Sequence, residues 1–341
     1  MSAPQPAAGS PRKVLIDCDP GIDDALALAF ACGHPGLDVR GVTTVAGNVG
    51  LAQTTANALS VLDFAGRPDV PLAAGSAAPL LRPHVDARDV HGHGGLGHAR
   101  LPPAQGRPVD ADATDLIIDT VGAAPGEITL VATGPLTNIA LAVRRQPGLV
   151  DQVADFVIMG GSATVIVGAS ATRGNVAPAA EFNIATDPEA AAIVFGAGWQ
   201  VTMVGLDVTH QARADERVKP RLAGLGRLGS DLLLPALSGY RGADDATPPH
   251  LIPAALAPGS GPAVHDVCAL ALVAEPGLFG CQPARVEVET AGRWTAGLTV
   301  TTFRAGAAQC NALVATSIEV PAFWDAVIAA WARVPAAQPA G

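Results

Sequence analysis

Short apolar runs rich in β-branched residues alternate with helical patterns along most of the chain, and that alternation leaves few folds open. Lys13–Asp17 leads into a helix from about Asp23 to Gly33, ended by Pro35. Val39–Val45 precedes an amphipathic helix over Leu51–Phe64. Val70–Ala74, Ile128–Ala132, Phe156–Met159 and Val201–Gly205 repeat the strand pattern, separated by helices over Ala113–Val121, Leu136–Val143 and Pro188–Phe195. Apolar strands joined by helices are covered on both faces. The expected fold is therefore α/β, with a mostly parallel central sheet flanked by helices, open and Rossmann-like. Strands near Arg285–Glu289, Gly297–Thr302 and Asn311–Thr316 predict a subsidiary C-terminal sheet, and a helix over Pro321–Arg333 closes the chain. Ligands of such sheets bind beyond the carboxyl ends of the strands.

No linker or internal repeat interrupts this order. Residues 12–334 read as a single domain, with Pro/Ala/Gly-rich tails at 1–11 and 335–341. The net charge of −10 disfavours a nucleic-acid surface, which needs a basic patch to displace counterions. Nothing resembles a basic face for a membrane either. No eighteen-residue apolar run and no hydrophobic leader are present, so the expected location is the cytoplasm. The five cysteines are scattered and form no CxxC pair, which disfavours a disulfide framework and a structural zinc site. Three Gly/Pro-rich stretches break the alternation, at Gly75–Gly106, Gly160–Thr186 and roughly Leu234–Ala263. Long loops in a compact domain are more often functional than idle.

The chemistry concentrates after the first strand, where VLIDCDPGIDD holds Asp17, Asp19, Asp23 and Asp24. Carboxylates so close repel one another unless a cation joins them. All-oxygen donors point to a hard ion, Ca²⁺ or Mg²⁺. Pro20 and Gly21 supply a tight turn, and Asp23 and Asp24 open the helix, where its dipole favours negative charge. Adjacent helical residues point about 100° apart, so one of the pair is expected to hold metal and the other substrate. As isolated residues, the same aspartates would read as solvated caps and a structural hydrogen bonder.

Asp17–Asp24 matches, at every defined position, the D-x-D-P-G-x-D-D run that opens members of the nucleoside hydrolase family, of the inosine–uridine preferring type. The chain resembles that family over nearly its whole length. Thr43–Asn48 looks like its T-T-V-x-G-N segment, and His91–Gly92 with Gly95–Gly97 looks like its H-G-x-x-G-L-G loop. Thr133–Asn138 matches T-G-P-L-T-N; Met159–Gly161, Glu181–Asn183, Asp187–Ala190, Leu206–His210 and Val264–Asp266 follow in family order. Each string alone is weak, whereas the ordered set is specific.

The resemblance implies a hydrolase that cuts the N-glycosidic bond of ribonucleosides, giving free base and ribose. It implies Ca²⁺ held by Asp19, Asp24, Asp266 and the Thr133 carbonyl, with Asp19 also the general base for a Ca²⁺-bound water. His265 corresponds to the acid for the leaving base, as suits a histidine near neutral pH. Ribose and base contacts fall to Asp23, Asn48, His91, Met159, Asn175, Glu181, Phe182 and Asn183. An extended AEFN segment would put Glu181 and Asn183 on one face. Asp266 could also cap the helix that follows it, and His210 is assigned structural support. Relatives imply a homodimer or homotetramer with a ribonucleoside as the only partner. The stretch 162–180 is longer than usual in the family, and Tyr240–Pro262 does not align, so Tyr240 stays open between a base contact and packing.

Two other readings compete. A haloacid dehalogenase-type phosphatase also begins with D-x-D, but it continues Gly-Thr or Gly-Val and needs a downstream lysine. Here Pro20–Gly21 follows Asp19, and Lys13 and Lys219 are the only lysines. A non-catalytic calcium-dependent nucleoside- or ribose-binding protein would need the metal and sugar groups without a general base.

Overall fold

The computed structural model describes residues 10–163, 174–240 and 261–336. Residues 1–9 and 337–341 of the expected tails at 1–11 and 335–341, residues 164–173 of the long insertion and residues 241–260 of the Pro/Gly-rich stretch lie outside the described residues. Among the described residues the nine strands are β1 (Arg12–Cys18), β2 (Leu37–Thr44), β3 (Leu72–Ala74), β4 (Ile128–Ala132), β5 (Asp155–Met159), β6 (Val201–Val204), β7 (Phe279–Val288), β8 (Thr299–Thr302) and β9 (Ala312–Ile318). They form one sheet in the order β3-β2-β1-β4-β5-β6-β9-β7-β8.

The first six strands pair in parallel, with Asp17 opposite Thr43 of β2 and Ala132 of β4. The chain winds outward from β1 in both directions, so the connections diverge between β1 and β4. That divergence opens a crevice beyond the carboxyl ends of these two strands. Asp19 follows one strand end and Thr133 the other.

The expected subsidiary sheet does not form. β9 pairs parallel with β6, β7 returns antiparallel beside β9, and β8 is the edge. Backbone groups along the open β6 edge need partners, and β9 supplies them by extending the main sheet.

Side chains alternate across the strands. Val14, Ile16 and Cys18 of β1 enter one core with helices Ile22–Gly33, Leu51–Phe64, His265–Ala274 and Val320–Trp331. Leu15 enters the other, with helices Ala113–Ala123, Thr137–Arg145 and Pro188–Phe195. Helix Ile22–Gly33 is buried at every position except Cys32, because helix His265–Ala274 packs along it. This pairing carries Asp266 from late in the chain to the first acidic turn. Among the described residues no helix is long and apolar enough to cross a membrane.

Candidate active site

The acidic turn is built from the start of helix Ile22–Gly33. Asp24, its third residue, turns back and accepts from the Gly21 amide at 3.0 Å and the Asp19 amide at 3.2 Å. A carboxylate so placed satisfies helix-start donors and meets the positive end of the dipole. The Thr133 amide donates to the Asp17 carbonyl at 2.8 Å, extending the β1–β4 ladder past Ala132. The Thr133 hydroxyl then reaches Asp24 Oδ1 at 2.9 Å. From the segment after β2, the Asn48 amide donates to Asp19 Oδ2 at 2.6 Å, and its Nδ2 donates to Asp24 Oδ2 at 3.1 Å.

Carboxylate oxygens of Asp23, Asp24 and Asp266 lie within 4.8 Å of one another, all three residues buried. Asp23 and Asp24 both reach this point, despite their 100° separation, because side chains in a first turn lean back toward the helix start. At that range each pair of like charges costs about 3–4 kcal/mol at an effective dielectric near 20. Three such pairs cost about 10 kcal/mol, comparable with the whole stability of a typical domain. The ionised triad therefore calls for a counter-charge.

Burial is the largest cause pushing each acid up, followed for Asp19 and Asp23 by the charge of Asp24. Asp23 is raised to about 8, and Asp19 stands well above the carboxylate range. Asp266 is also pushed far up, first by burial and then by Asp23, Asp24 and Asp19. Asp24 is raised by burial as well, against the lowering effect of the Gly21 amide, the Thr133 hydroxyl, the Asp19 amide and Asp266. Two buried oxygens at this site, Asp19 Oδ1 and Asp23 Oδ1, have no hydrogen-bond partner. Hard oxygen donors, clustered negative charge and unpartnered lone pairs together fit a divalent cation of the Ca²⁺ or Mg²⁺ kind. Asp19 itself stands outside the tight triad, and Asp23, expected at the sugar, stands inside it.

Other expected residues surround this centre. Glu181 is the N-cap of helix Phe182–Thr186; its carboxylate accepts from the Asn183 and Ile184 amides and from Gly161. The segment is thus not extended, since a capping glutamate starts a helix there. Burial raises Glu181 even so, against the lowering effect of those three amides. Asn183 Nδ2 donates to the Thr133 carbonyl at 2.7 Å and to the Met159 carbonyl at 3.1 Å, bridging β4 and β5. Asn175 accepts from the Phe182 amide at 2.9 Å, which places the insertion's end against this helix. Met159 is buried, and Phe182, beside Asn183 in the chain, is half-buried. Asp266 is the second residue of its helix and makes no cap.

His91 Nδ1 accepts from the Ile22 amide at 3.0 Å, so its ring proton sits on Nε2. Burial lowers it to about 3, so its 4.0 Å approach to Asp23 is not an ion pair. Tyr240 meets the His91 ring edge-on, with centroids 5.6 Å apart. His265 is buried, and burial, then His210 and Arg213, drive it well below the usual histidine value. It is neutral at pH 7.

Three supporting residues went unassigned in the sequence. Asn138 Nδ2 and the Thr43 hydroxyl both donate to Asp17 Oδ1, at 2.8 and 2.6 Å. Asn57 ties the Pro20 carbonyl to the Gly94 carbonyl, both at 2.9 Å, linking the acidic turn to the glycine-rich loop. Thr43 and Asn138 lay inside matched strings, but Asn57 sits in a helix that carried only an amphipathic signal.

The inosine-uridine preferring nucleoside hydrolase family model matches residues 14–325. The chain belongs to that family. The inosine-uridine preferring nucleoside hydrolase of Leishmania major is 41% identical over 95% of this chain and 98% of its own length. The non-specific ribonucleoside hydrolase RihC of Klebsiella pneumoniae is 44% identical over 94% and 98% respectively. The solved purine-preferring ribonucleoside hydrolase of Gardnerella vaginalis superposes with a TM-score of 0.84 at 31% identity, covering 94% of this chain and 98% of that one.

As a member of this family the chain is an N-ribohydrolase, and Gly47 shows how closely its backbone approaches Asp19. A Cβ at Gly47 would overlap Asp19 Oδ2, which is pinned by Asn48. Gly47→Ala is expected to displace Asp19 and, on the expectation that Asp19 is the general base, to lower kcat about a hundredfold, since small misplacements of a reacting group are costly. Circular dichroism should still report a folded chain. Parent-like kcat in that variant would mean that the position of Asp19 does not matter.

Proposed function

We propose that this nucleoside hydrolase cleaves purine and pyrimidine ribonucleosides to free base and ribose, with Asp19 as general base and Ca²⁺ as its resident ion. The observation carrying this reading is the convergence of buried Asp23, Asp24 and Asp266 beside the unpartnered Asp19 Oδ1. The names of the relatives support the breadth of bases, inosine and uridine for one and non-specific for the other.

Asp19, Asp24, Asp266 and the Thr133 carbonyl would hold the ion. Bound there, it supplies positive charge that lowers the pKa of a coordinated water. Asp19 Oδ1 takes the proton from the attacking water, while the Asn48 amide fixes Oδ2 and so aims the carboxylate. Asp23, Asn48, Asn175, Glu181 and Asn183 orient the ribose hydroxyls, with Met159 and Phe182 as apolar wall. Several of these side chains also brace one another, which keeps the wall rigid. As the bond breaks, positive charge grows at C1′, and the surrounding carboxylates favour it electrostatically. His91 faces the base. Neutral His265 donates its Nε2 hydrogen to the leaving base, taking the role of an electrophile rather than a resident imidazolium.

Residues 12–334 act on this reading as one catalytic domain, cytoplasmic, in a homodimer or homotetramer that serves nucleoside salvage. Inosine, uridine, cytidine and adenosine are the test substrates, with free base as the readout. Base release from at least one supports the hydrolase; release from none, with Ca²⁺ present, returns the calcium-dependent binder as the better account. His265→Ala should lower kcat for the most affected base about a hundredfold. Because bases differ in their need for a proton, the losses should differ by tenfold or more between purine and pyrimidine. Equal losses would remove His265 from base departure.

A further inference from the structure

Thr209 closes the short helix Leu206–Thr209 and is fully buried. Its amide donates to the Gly205 carbonyl at 3.1 Å, and its hydroxyl lies 2.7 Å from His265 Nδ1. The hydroxyl makes no other hydrogen bond among the described residues, and neither does His265 Nε2. The His210 ring packs against the same imidazole in a T-shaped pair, centroids 5.5 Å apart.

Resting on the assignment of His265 to base departure, we propose that Thr209 is a positioning residue that fixes the tautomer of that histidine. A neutral imidazole carries one ring hydrogen, on either nitrogen, and the partner of the other nitrogen selects which. If Nδ1 carried it, the Thr209 hydroxyl would have to accept, and its own hydrogen would be buried without an acceptor. An unmet buried donor is unfavourable. With the threonine donating, both atoms are satisfied: Nδ1 accepts and Nε2 keeps the hydrogen. Nε2 is the nitrogen left open for the departing base. The arrangement has the logic of a histidine held in one tautomer by a neighbouring side chain, where the wrong tautomer is costly even if geometry is kept. A hydroxyl in place of a carboxylate fixes the ring without adding a negative charge beside the acidic centre.

The test is a ¹⁵N spectrum of the labelled, calcium-loaded protein at about pH 8, with His265 assigned by comparison with His265→Asn. Nδ1 should be pyridine-like and Nε2 pyrrole-like. Thr209→Ser should keep that pattern and stay within about threefold of the parent in kcat. Thr209→Val should blur the two nitrogens and lower kcat about tenfold or more, with KM little changed. A protonated Nδ1 in the parent overturns the proposal, as does parent-like turnover and spectrum in Thr209→Val. Should the valine variant fail to fold, the parent and serine spectra decide alone. A pyrrole-like Nε2 in a protein that releases no base from any nucleoside would sink the hydrolase reading but leave the hydrogen-bond assignment standing.

Discussion

Asp19→Asn should lower kcat about a thousandfold on every nucleoside the parent cleaves, within the range expected for removing a general base. Asparagine keeps the shape of the side chain, and its oxygen can still accept from the Asn48 amide that now holds Asp19 Oδ2 at 2.6 Å. What it loses is a carboxylate able to take a proton at the unpartnered Oδ1 position. Stability should move the other way. Burial and Asp24 push Asp19 far above its ordinary value, so its ionised form destabilises the metal-free fold at neutral pH. Removing that charge should leave the metal-free variant melting at or above the parent. Steady-state kinetics with a thermal melt checks both halves. A variant within tenfold of the parent would take the base role from Asp19, and a collapse in melting temperature would make the residue structural.

Chelation should both stop turnover and lower the melting temperature by about 5 °C. An ion at a hundred times its dissociation constant contributes about 2.7 kcal/mol. Each kcal/mol moves a domain of some 150–250 residues by about 2–4 °C. The gap should widen with pH. In the metal-free fold burial raises Asp17 to about 7 and Asp23 to about 8, from the ordinary carboxylate value of 3.8. Between those limits the folded state binds more protons than the unfolded chain, so metal-free stability falls as pH rises from about 4 to about 8. A cation matches the ionised carboxylates and offsets that loss. Calorimetric melts at pH 5 and pH 8, with and without Ca²⁺, should show the larger gap at pH 8. A gap that narrows with pH would contradict the electrostatic account.

The sheet was legible because β-branched runs such as Ile128–Ala132 and helices such as Leu51–Phe64 carry their own periodicity. A site beyond the carboxyl ends of the strands followed from that pattern, and the acidic run already sat at the first of those ends. What the chain did not reveal was set by partners distant in sequence. The C-terminal strands carry no signal saying which edge they join; β9 finds β6 only in three dimensions. Glu181 looked like one residue of an extended segment, because a cap depends on the backbone turning after it. Thr43, Asn138 and Thr209 lay inside family strings, yet a hydroxyl or amide gains a role only once its acceptor is known. The acidic cluster was readable early because repulsion among carboxylates depends mainly on their being close, and four lie within eight residues.

Calorimetric titration of Ca²⁺ into the chelator-stripped protein, compared with Asp266→Asn, addresses the convergence of early and late carboxylates on one ion most directly. One site per chain is expected in the parent, with affinity at least a hundredfold weaker once Asp266 is neutralised. No heat of binding in the parent, or equal affinity in both proteins, would contradict it.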